Sequence, residues 1–297
     1  MVIATPTYLH SPIVLDAVRA GKHVLCEKPL ALDFQAAQQM YAAAEQAGIV
    51  HMTAFTYRFA PAVRYLKHLI DTAALGRLRT VRASYLMALS PHLLGWRSTA
   101  SQAGSGVLAD IGSHLVHLVQ LLAGEIVQVC ASQALFRNDP ASDVEDWIAF
   151  LADLQGGVRA TFEISRVCPG RGAGVSENMT IEVYGTEGGA EFALQDPWAL
   201  RVAVGEDGRD PARPMQRVEV PTEFLRVAGS TRDPHAGDPR WGYRYDQEFQ
   251  FIESVRLGQS RSPTLLDGVR CQAVLDAAIE SGRERRWTSV RTGARFE

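Results

Sequence analysis

Short apolar runs alternate with stretches of helical periodicity along the first part of the chain. Runs of β-forming residues predict three strands, over residues 1–4, 23–26 and 49–55. Apolar residues at helical spacing predict helices over 11–20 and 33–47, the second with Asp33 as its cap. This alternation is typical of parallel βαβ units. Three loops should then gather at the carboxyl edge of one sheet: 5–10, 27–29 and 55–59.

Beyond residue 76 the pattern changes to the period-two alternation of a mainly antiparallel sheet. Six strands are predicted there, over residues 78–88, 126–136, 147–154, 158–165, 180–184 and 190–194. The glycine pairs Gly156-Gly157 and Gly188-Gly189 predict hairpins between two pairs of these strands. Helices are predicted over residues 106–122, 243–257 and 267–281. Two stretches rich in Gly, Pro and charge are predicted as surface loops, 203–217 and 229–242.

These elements together predict an α/β plus α+β fold in two domains. Residues 1–75 would hold part of a Rossmann-type parallel sheet. Residues 76–297 would hold an open, mainly antiparallel sheet flanked by helices, and the last helices would pack back on the first domain. A length of 297 residues fits two domains better than one.

Composition and charge narrow the class of protein further. Hydrophobic residues make up 46% and charged residues 21%, the balance of a globular protein with a sizeable core. The net charge of −3, with both signs interspersed, argues against a nucleic-acid partner. No apolar run reaches the roughly 18 residues of a membrane span, and no signal peptide is evident. The four cysteines form no Cys-x-x-Cys pair and are typical of reduced thiols, so we expect a cytoplasmic protein.

Glu27-Lys28-Pro29 follows the second predicted strand, at the edge where ligands bind in open parallel sheets. Because Pro29 cannot continue the strand, Lys28 would be presented at this edge. An ammonium there can hydrogen-bond a substrate hydroxyl and influence its proton transfer while hydride leaves the same carbon. The alternative is a solvated lysine after a strand.

Asp110 and His114 lie four residues apart in a predicted helix, so both side chains fall on one face. A carboxylate and an imidazole together suit reversible proton exchange with an alcohol. Two other interpretations stay open: Asp110 caps the helix while His114 is a core histidine, or His114 and His117 bind a metal. No further ligand cluster supports a metal, so none is predicted.

Two further groups of residues give weaker signals. The turn at 5–10, with Thr5, Pro6 and His10, could contact a ribose or nicotinamide. Tyr57-Arg58 and Trp96-Arg97 place an aromatic ring beside a guanidinium on predicted loops. Such pairs suit sugar hydroxyls and phosphates, and they are equally common as surface packing.

Together and in this order, four segments resemble the Gfo/Idh/MocA family, named after glucose–fructose oxidoreductase, inositol dehydrogenase and the rhizopine-catabolism protein MocA. The matching segments are 2–29 (V-I-A-T-P-T-Y-L-H…A-G-K-H-V-L-C-E-K-P), 55–61 (F-T-Y-R-F-A-P), 103–114 (A-G-S-G-V-L-A-D-I-G-S-H) and 248–254. The resemblance implies an N-terminal Rossmann domain and a C-terminal domain whose open sheet often forms oligomers. It also implies NAD or NADP as cofactor and a sugar, polyol or related compound as substrate.

The resemblance implies a role for each matched residue. Lys28, Asp110 and His114 match the catalytic residues, with Lys28 near substrate and nicotinamide and His114 as the acid/base. The residues expected to line the cofactor are Thr5, Pro6, His10, Glu27, Pro29, Trp96 and Arg97. The residues expected at the substrate are Lys28, Tyr57, Arg58, Asp110 and His114.

The sequence departs from the family pattern in two places. His117 stands where many relatives carry an aspartate, which would alter the substrate pocket. No G-x-G-x-x-G turn occurs between a first strand and a first helix. We therefore expect the sequence to begin inside the family's fourth strand, with roughly 60–70 residues of a βαβαβ half missing, as in a fragment or a mistaken start.

Two classes of function follow. The first is an NAD(P)-dependent dehydrogenase acting on a sugar or polyol, with the activity of the shortened chain left open. The alternative is a non-catalytic sugar-binding or oligomerisation module derived from the family. In either case we expect a homo-oligomer formed through the C-terminal sheet, with no membrane and no nucleic-acid partner.

Overall fold

The first part of the chain forms a three-stranded parallel sheet in the computed structural model, which describes residues 1–137, 139–172, 178–205, 210 and 213–291. Its strands lie in the order β1 (Val2–Ile3), β2 (Val24–Cys26) and β3 (His51–Thr53). Helices α1 (His10–Arg19) and α2 (Phe34–Gln46) connect them. The predicted βαβ units are confirmed, so the loops after the three strands share one edge.

Asp33 explains where α2 begins. Its side chain accepts a hydrogen bond of 2.8 Å from the backbone N–H of Ala36, which satisfies one of the free donors of the first turn. The apolar face that follows, with Ala37, Met40 and Ala44, is fully buried against the sheet. The predicted cap and helical periodicity are therefore confirmed.

The second part of the chain forms a nine-stranded sheet. Its strands are β4 (Leu78–Leu86), β5 (Ile126–Ala134), β6 (Trp147–Leu154), β7 (Arg159–Ser165), β8 (Asn178–Gly185), β9 (Gly188–Ala193), β10 (Ala199–Val204), β11 (Gln216–Glu219) and β12 (Thr288–Ser289). They lie in the order β11-β10-β9-β8-β4-β7-β6-β5-β12. Only the β4–β7 pair is parallel among the described pairs, so the predicted mainly antiparallel sheet is confirmed.

Five further α-helices accompany the nine-stranded sheet in the described residues. They are α3 (Pro61–Asp71), α4 (Ala100–Ala103), α5 (Ser113–Ala123), α6 (Pro239–Leu257) and α7 (Leu265–Glu284). Short 3-10 turns occur at Thr7–Leu9, Thr56–Phe59, Pro91–Leu93, Gly95–Ser98, Gln155–Gly157 and Thr222–Phe224. Helix α7 links the two parts, since Leu265 and Val269 pack with α1 and α2 while Val274 and Leu275 pack under β5.

Several predicted elements need correction. The helix expected over 106–122 begins as a π-helical turn, Leu108–Gly112, and continues as α5. The buried Glu145 carboxylate accepts hydrogen bonds from the backbone at its start. Helix α3 was not predicted, although Val63, Leu66 and Leu69 recur at helical spacing after Pro61.

Two loop predictions were also wrong in part. The turn of the β8–β9 hairpin lies between Gly185 and Gly188 and not at Gly188-Gly189, which belong to β9. Glycine is required at 188 for another reason, since a Cβ there would stand 2.2 Å from the carbonyl oxygen of Ala203 in β10. The ends of the loop predicted over 203–217 belong to β10 and β11, which pair antiparallel. Residues 206–209 and 211–212 of that range lie outside the described residues.

One helical stretch has the length and composition of a membrane span. Within the ranges described, Ala100–Ala123 alone qualifies, and 72% of its most apolar part is buried inside the fold. It packs between the nine-stranded sheet and helices α3 and α7. The stretch is therefore a core helix of this fold.

Candidate active site

A cavity of about 400 Å³ opens at the carboxyl edge of the three-stranded sheet. Its size lies within the roughly 300–1,000 Å³ of small-molecule sites. The loops after β1, β2 and β3 form one wall, and the segment that leads into α5 forms the opposite wall. The first turns of α6 form the rim. The cavity thus lies where the two sheets meet, at the edge where parallel sheets bind ligands.

Lys28 joins the two walls of the cavity. Its Nζ donates a hydrogen bond to the backbone carbonyl of Asp110, across 82 residues of sequence. The backbone N–H of Lys28 donates to the Glu27 carboxylate at 3.2 Å. The peptide bond between Lys28 and Pro29 is cis. The ammonium is therefore held at a defined place in the cavity and keeps further donors for a ligand.

The Asp110 carboxylate pairs with Arg97. Arg97 Nε donates to Asp110 Oδ1 at 3.1 Å, and the guanidinium lies over the Trp96 ring, 4.2 Å from its centroid. Helical spacing predicted that Asp110 and His114 fall on one face. Their side chains have different contacts in the structure, because Asp110 pairs with Arg97 while the His114 ring lies beside Tyr57.

Glu145 determines the backbone path on this side of the cavity. The residue is 8% exposed, and its carboxylate accepts hydrogen bonds from Gly106 N–H (2.8 Å) and Leu108 N–H (3.0 Å). Burial raises the pKa of this carboxyl, and the two N–H donors counteract the rise. A Cβ on Gly106 would stand 1.9 Å from the Glu145 carbonyl oxygen, so glycine is required there.

His114 presents a neutral imidazole to the cavity. Its Nδ1 is buried and has no hydrogen-bond partner among the described residues, and its ring lies 4.4 Å from the Tyr57 ring. Burial, followed by the charge of Lys28, holds the pKa of His114 well below its usual 6.5. A buried polar atom without a partner is rare in native proteins. Such an imidazole can accept a hydrogen bond or a proton from a bound hydroxyl.

The structure brings ten of the twelve predicted site residues to this one cavity. They are Thr5, Pro6, Glu27, Lys28, Pro29, Tyr57, Trp96, Arg97, Asp110 and His114. His10 and Arg58 lie outside its lining. The placement of the ten is observed, and their roles stay predictions.

His10 connects two loops from beneath the cavity. Its ring nitrogens contact the carbonyl oxygens of Pro29 (3.0 Å) and Thr5 (2.9 Å), and the residue is 1% exposed. Helix α1 begins at His10 after a 3-10 turn, which directs the ring under the loops. His10 therefore fixes the position of two cavity loops. It was expected to line the cofactor, but it is not among the residues that line the cavity.

Arg58 and His117 form a separate cluster behind the cavity wall. Arg58 Nη1 donates to Ser262 Oγ at 2.8 Å, and the His117 ring stacks on Phe55 at 3.9 Å. Burial, with the nearby Arg58 charge, lowers the pKa of His117. His114 and His117 thus face different neighbours, and nowhere in the described ranges do three metal-binding side chains come together.

Sequence reasoning missed the residues on the rim of the cavity. Arg240 and Arg244 of α6 line it, together with Thr7, Thr56 and Ser105. Residues up to 242 were predicted as a loop because of their Gly, Pro and charge content. Asp238-Pro239, a cap followed by proline at the first helical position, was the available signal for an earlier start.

Comparisons with known proteins define the class that this fold and site belong to. Residues 1–55 match the model of an oxidoreductase family with an NAD-binding Rossmann fold, and residues 63–191 match the GFO/IDH/MocA C-terminal domain. These two matches describe an NAD-binding oxidoreductase. The chain belongs to the Gfo/Idh/MocA oxidoreductase family.

Several relatives resemble the chain over nearly all of its length. Levoglucosan dehydrogenase of Pseudarthrobacter phenanthrenivorans is 32% identical over 97% of this chain and 79% of its own. Inositol 2-dehydrogenase of Rhizobium meliloti is 25% identical over 98% of this chain and 80% of its own. The structure of a levoglucosan dehydrogenase in complex with NADH and levoglucosan aligns with a TM-score of 0.89 and 32% identity. That alignment covers 98% of this chain and 80% of the other.

Proposed function

We propose that this oxidoreductase transfers hydride between NAD and a hydroxyl or carbonyl group of a sugar, polyol or related compound. The observation that carries the proposal is that the Lys28 ammonium and the neutral imidazole of His114 line the same cavity at the strand ends. Relatives named as dehydrogenases of levoglucosan and inositol support the substrate class. The non-catalytic alternative gains no support from these names.

The residues of the cavity fit a nicotinamide beside a sugar. Besides His114 Nδ1, Thr5 Oγ1 is buried without a hydrogen-bond partner among the described residues, so both atoms are available to a ligand. Thr5 and Pro6 follow β1, and Glu27 and Pro29 flank Lys28 after β2. These strand-end residues would hold the nicotinamide end of the cofactor. When bound, the nicotinamide supplies the acceptor for the hydride.

Lys28 and His114 would have different roles at the substrate hydroxyl. The Lys28 ammonium donates a hydrogen bond to the reacting oxygen and stabilises negative charge on it. The His114 imidazole accepts the hydroxyl proton while hydride leaves the carbon that bears this hydroxyl. In the reverse direction the imidazole returns the proton. The Asp110 backbone carbonyl accepts a hydrogen bond from Lys28 Nζ, and the Asp110 carboxylate pairs with Arg97. Arg97 and Asp110 would therefore help to hold Lys28 in position.

Measurements of cofactor binding and of turnover test the proposal. Calorimetric titration of the purified chain with NADH and NADPH measures cofactor binding, and reduction of NAD by a panel of sugars and polyols measures turnover. His114→Asn should lower turnover by roughly 100- to 10,000-fold with little change in NADH affinity. His92→Asn, at an exposed position outside the cavity, is the matched control. Failure of both NADH binding and turnover in a folded chain would overturn the proposal.

We also propose that the chain consists of two domains that divide near residue 76, and that it works in the cytoplasm.

We further propose that the chain forms a homo-oligomer. Helices cover one face of the nine-stranded sheet, and the opposite face carries Arg82, Trp147 and Glu163. Leu151 on the same face is 51% exposed. Multi-angle light scattering of the wild type and of Leu151→Glu tests whether copies pair through this face. A monomer at all concentrations would contradict it.

A further inference from the structure

Cationic side chains outnumber carboxylates around the cavity. Four line it, Lys28, Arg97, Arg240 and Arg244, against the carboxylates of Glu27 and Asp110. Arg97 pairs with Asp110, and Arg240 pairs with Asp238. The cavity therefore has a positive character that a neutral sugar does not require.

Arg244 is the rim cation without a counter-charge. No carboxylate pairs with it among the described residues, and its guanidinium lies 5.7 Å from the centroid of the Trp241 ring. Arg256, further along the same helix, is held by Glu253 at 2.7 Å. An arginine that lines a cavity and lacks an acidic partner is a ready donor for an oxyanion.

Arg240 and Arg244 lie on one face of α6. They are one helical turn apart, a rise of roughly 6 Å along the axis, so both guanidinium groups reach the same side of the rim. Both side chains are exposed at the mouth, whereas His114 lies inside the cavity. The charge of Arg244 also contributes to the lowered pKa of His114, after burial and the charges of Lys28 and His117. The rim and the reacting end of the cavity are thus within electrostatic reach of each other.

We infer that the substrate is an acidic sugar, whose phosphate or carboxylate group binds Arg244 and Arg240 at the rim while its reacting hydroxyl meets Lys28 and His114. This inference rests on the proposed function and specifies its substrate class. Guanidinium groups bind such oxyanions through paired N–H donors. The anionic group anchors the substrate in both its ground state and its transition state, so it acts mainly on KM.

Matched substrates and variants of Arg244 test the inference. Glucose, glucose 6-phosphate and glucuronate are compared by kcat/KM with NAD in the wild type, in Arg244→Gln and in Arg244→Lys. The wild type should prefer the acidic sugars. Arg244→Gln should lower their kcat/KM about 10- to 100-fold more than that of glucose, mainly through KM. Arg244→Lys should recover part of the loss, and Arg256→Gln should match the wild type.

Binding measurements separate the possible failures. Calorimetry with glucose 6-phosphate and with NADH is run on the wild type and Arg244→Gln. Weaker binding of the sugar phosphate with unchanged NADH affinity supports the inference, even if no sugar is oxidised and the proposed function fails. Oxidation of glucose in preference to both acidic sugars overturns the inference and leaves the proposed function intact. A loss of NADH affinity in Arg244→Gln also overturns it, because the anion would then belong to the cofactor.

Discussion

Replacing Glu145 with alanine should lower the free energy of unfolding by roughly 2–6 kcal/mol, about 1–3 for each buried N–H group left without an acceptor. Those groups are the backbone N–H of Gly106 and of Leu108, at 2.8 and 3.0 Å from the carboxylate. The lower half of the range is expected, because burial of the Glu145 carboxylate is itself unfavourable, which is why its pKa is raised. Removing the side chain also removes this unfavourable contribution. Glu145→Gln keeps one acceptor oxygen and should lose roughly 1–3 kcal/mol.

Urea unfolding followed by tryptophan fluorescence measures this loss. The midpoint should fall at an unchanged m-value. Glu253→Gln on α6 is the control, and its midpoint should match that of the wild type. A Glu145→Ala variant as stable as this control would refute the reasoning. Turnover of Glu145→Gln should also fall, because Asp110 and His114 follow directly after the turn that Glu145 holds.

Three further predictions concern stability. The pKa values of His114 and His117 are lowered by burial, so below pH ~6.5 the unfolded chain binds protons that the folded chain does not. Stability should therefore fall on acidification by up to about 1.4 kcal/mol per pH unit for each histidine. His117→Phe should reduce the slope of urea midpoints against pH, and an unchanged slope would contradict this. Asp246→Asn should cost roughly 3–5 kcal/mol in urea unfolding, since it leaves the buried Arg232 without its counter-charge. Asp196→Asn, in the exposed pair with Arg217, should change the urea midpoint little. Gly104→Ala should melt below Gly156→Ala, because both have positive φ but only the Cβ at 104 would meet a carbonyl oxygen, that of Leu32 at 2.7 Å. Equal melting temperatures would remove the steric argument.

The fold was predictable because its elements carry strong local signals. Period-two alternation of apolar residues indicates the strands β4, β6 and β7. Asp33 indicates where helix α2 begins. The short edge strand β11 was missed because its residues are exposed on both faces and show no alternation. Helix α3 was missed although Val63, Leu66 and Leu69 recur at helical spacing after Pro61.

The contents of the site were more predictable than its geometry. The resemblance of four segments to the Gfo/Idh/MocA family implied that Lys28, Asp110 and His114 would lie near one another. The Asp110 carboxylate pairs with Arg97, and the backbone that leads to Asp110 is hydrogen-bonded to Glu145, far away in sequence. Such long-range hydrogen bonds leave no local pattern. The arginines of the rim were missed because the Gly, Pro and charge content of 229–242 indicated a loop, although Asp238 caps α6 and Pro239 opens it.

The most direct test of the central claim is a single-turnover measurement of hydride transfer in Lys28→Met. The variant is saturated with NAD and a sugar that the wild type oxidises, and the first formation of NADH is followed by its fluorescence. Lys22→Met, at an exposed turn outside the cavity, is the matched control. The account predicts a transfer rate lower by roughly 100- to 10,000-fold in Lys28→Met, with NADH affinity little changed. Transfer at the wild-type rate in that variant would contradict the role assigned to Lys28.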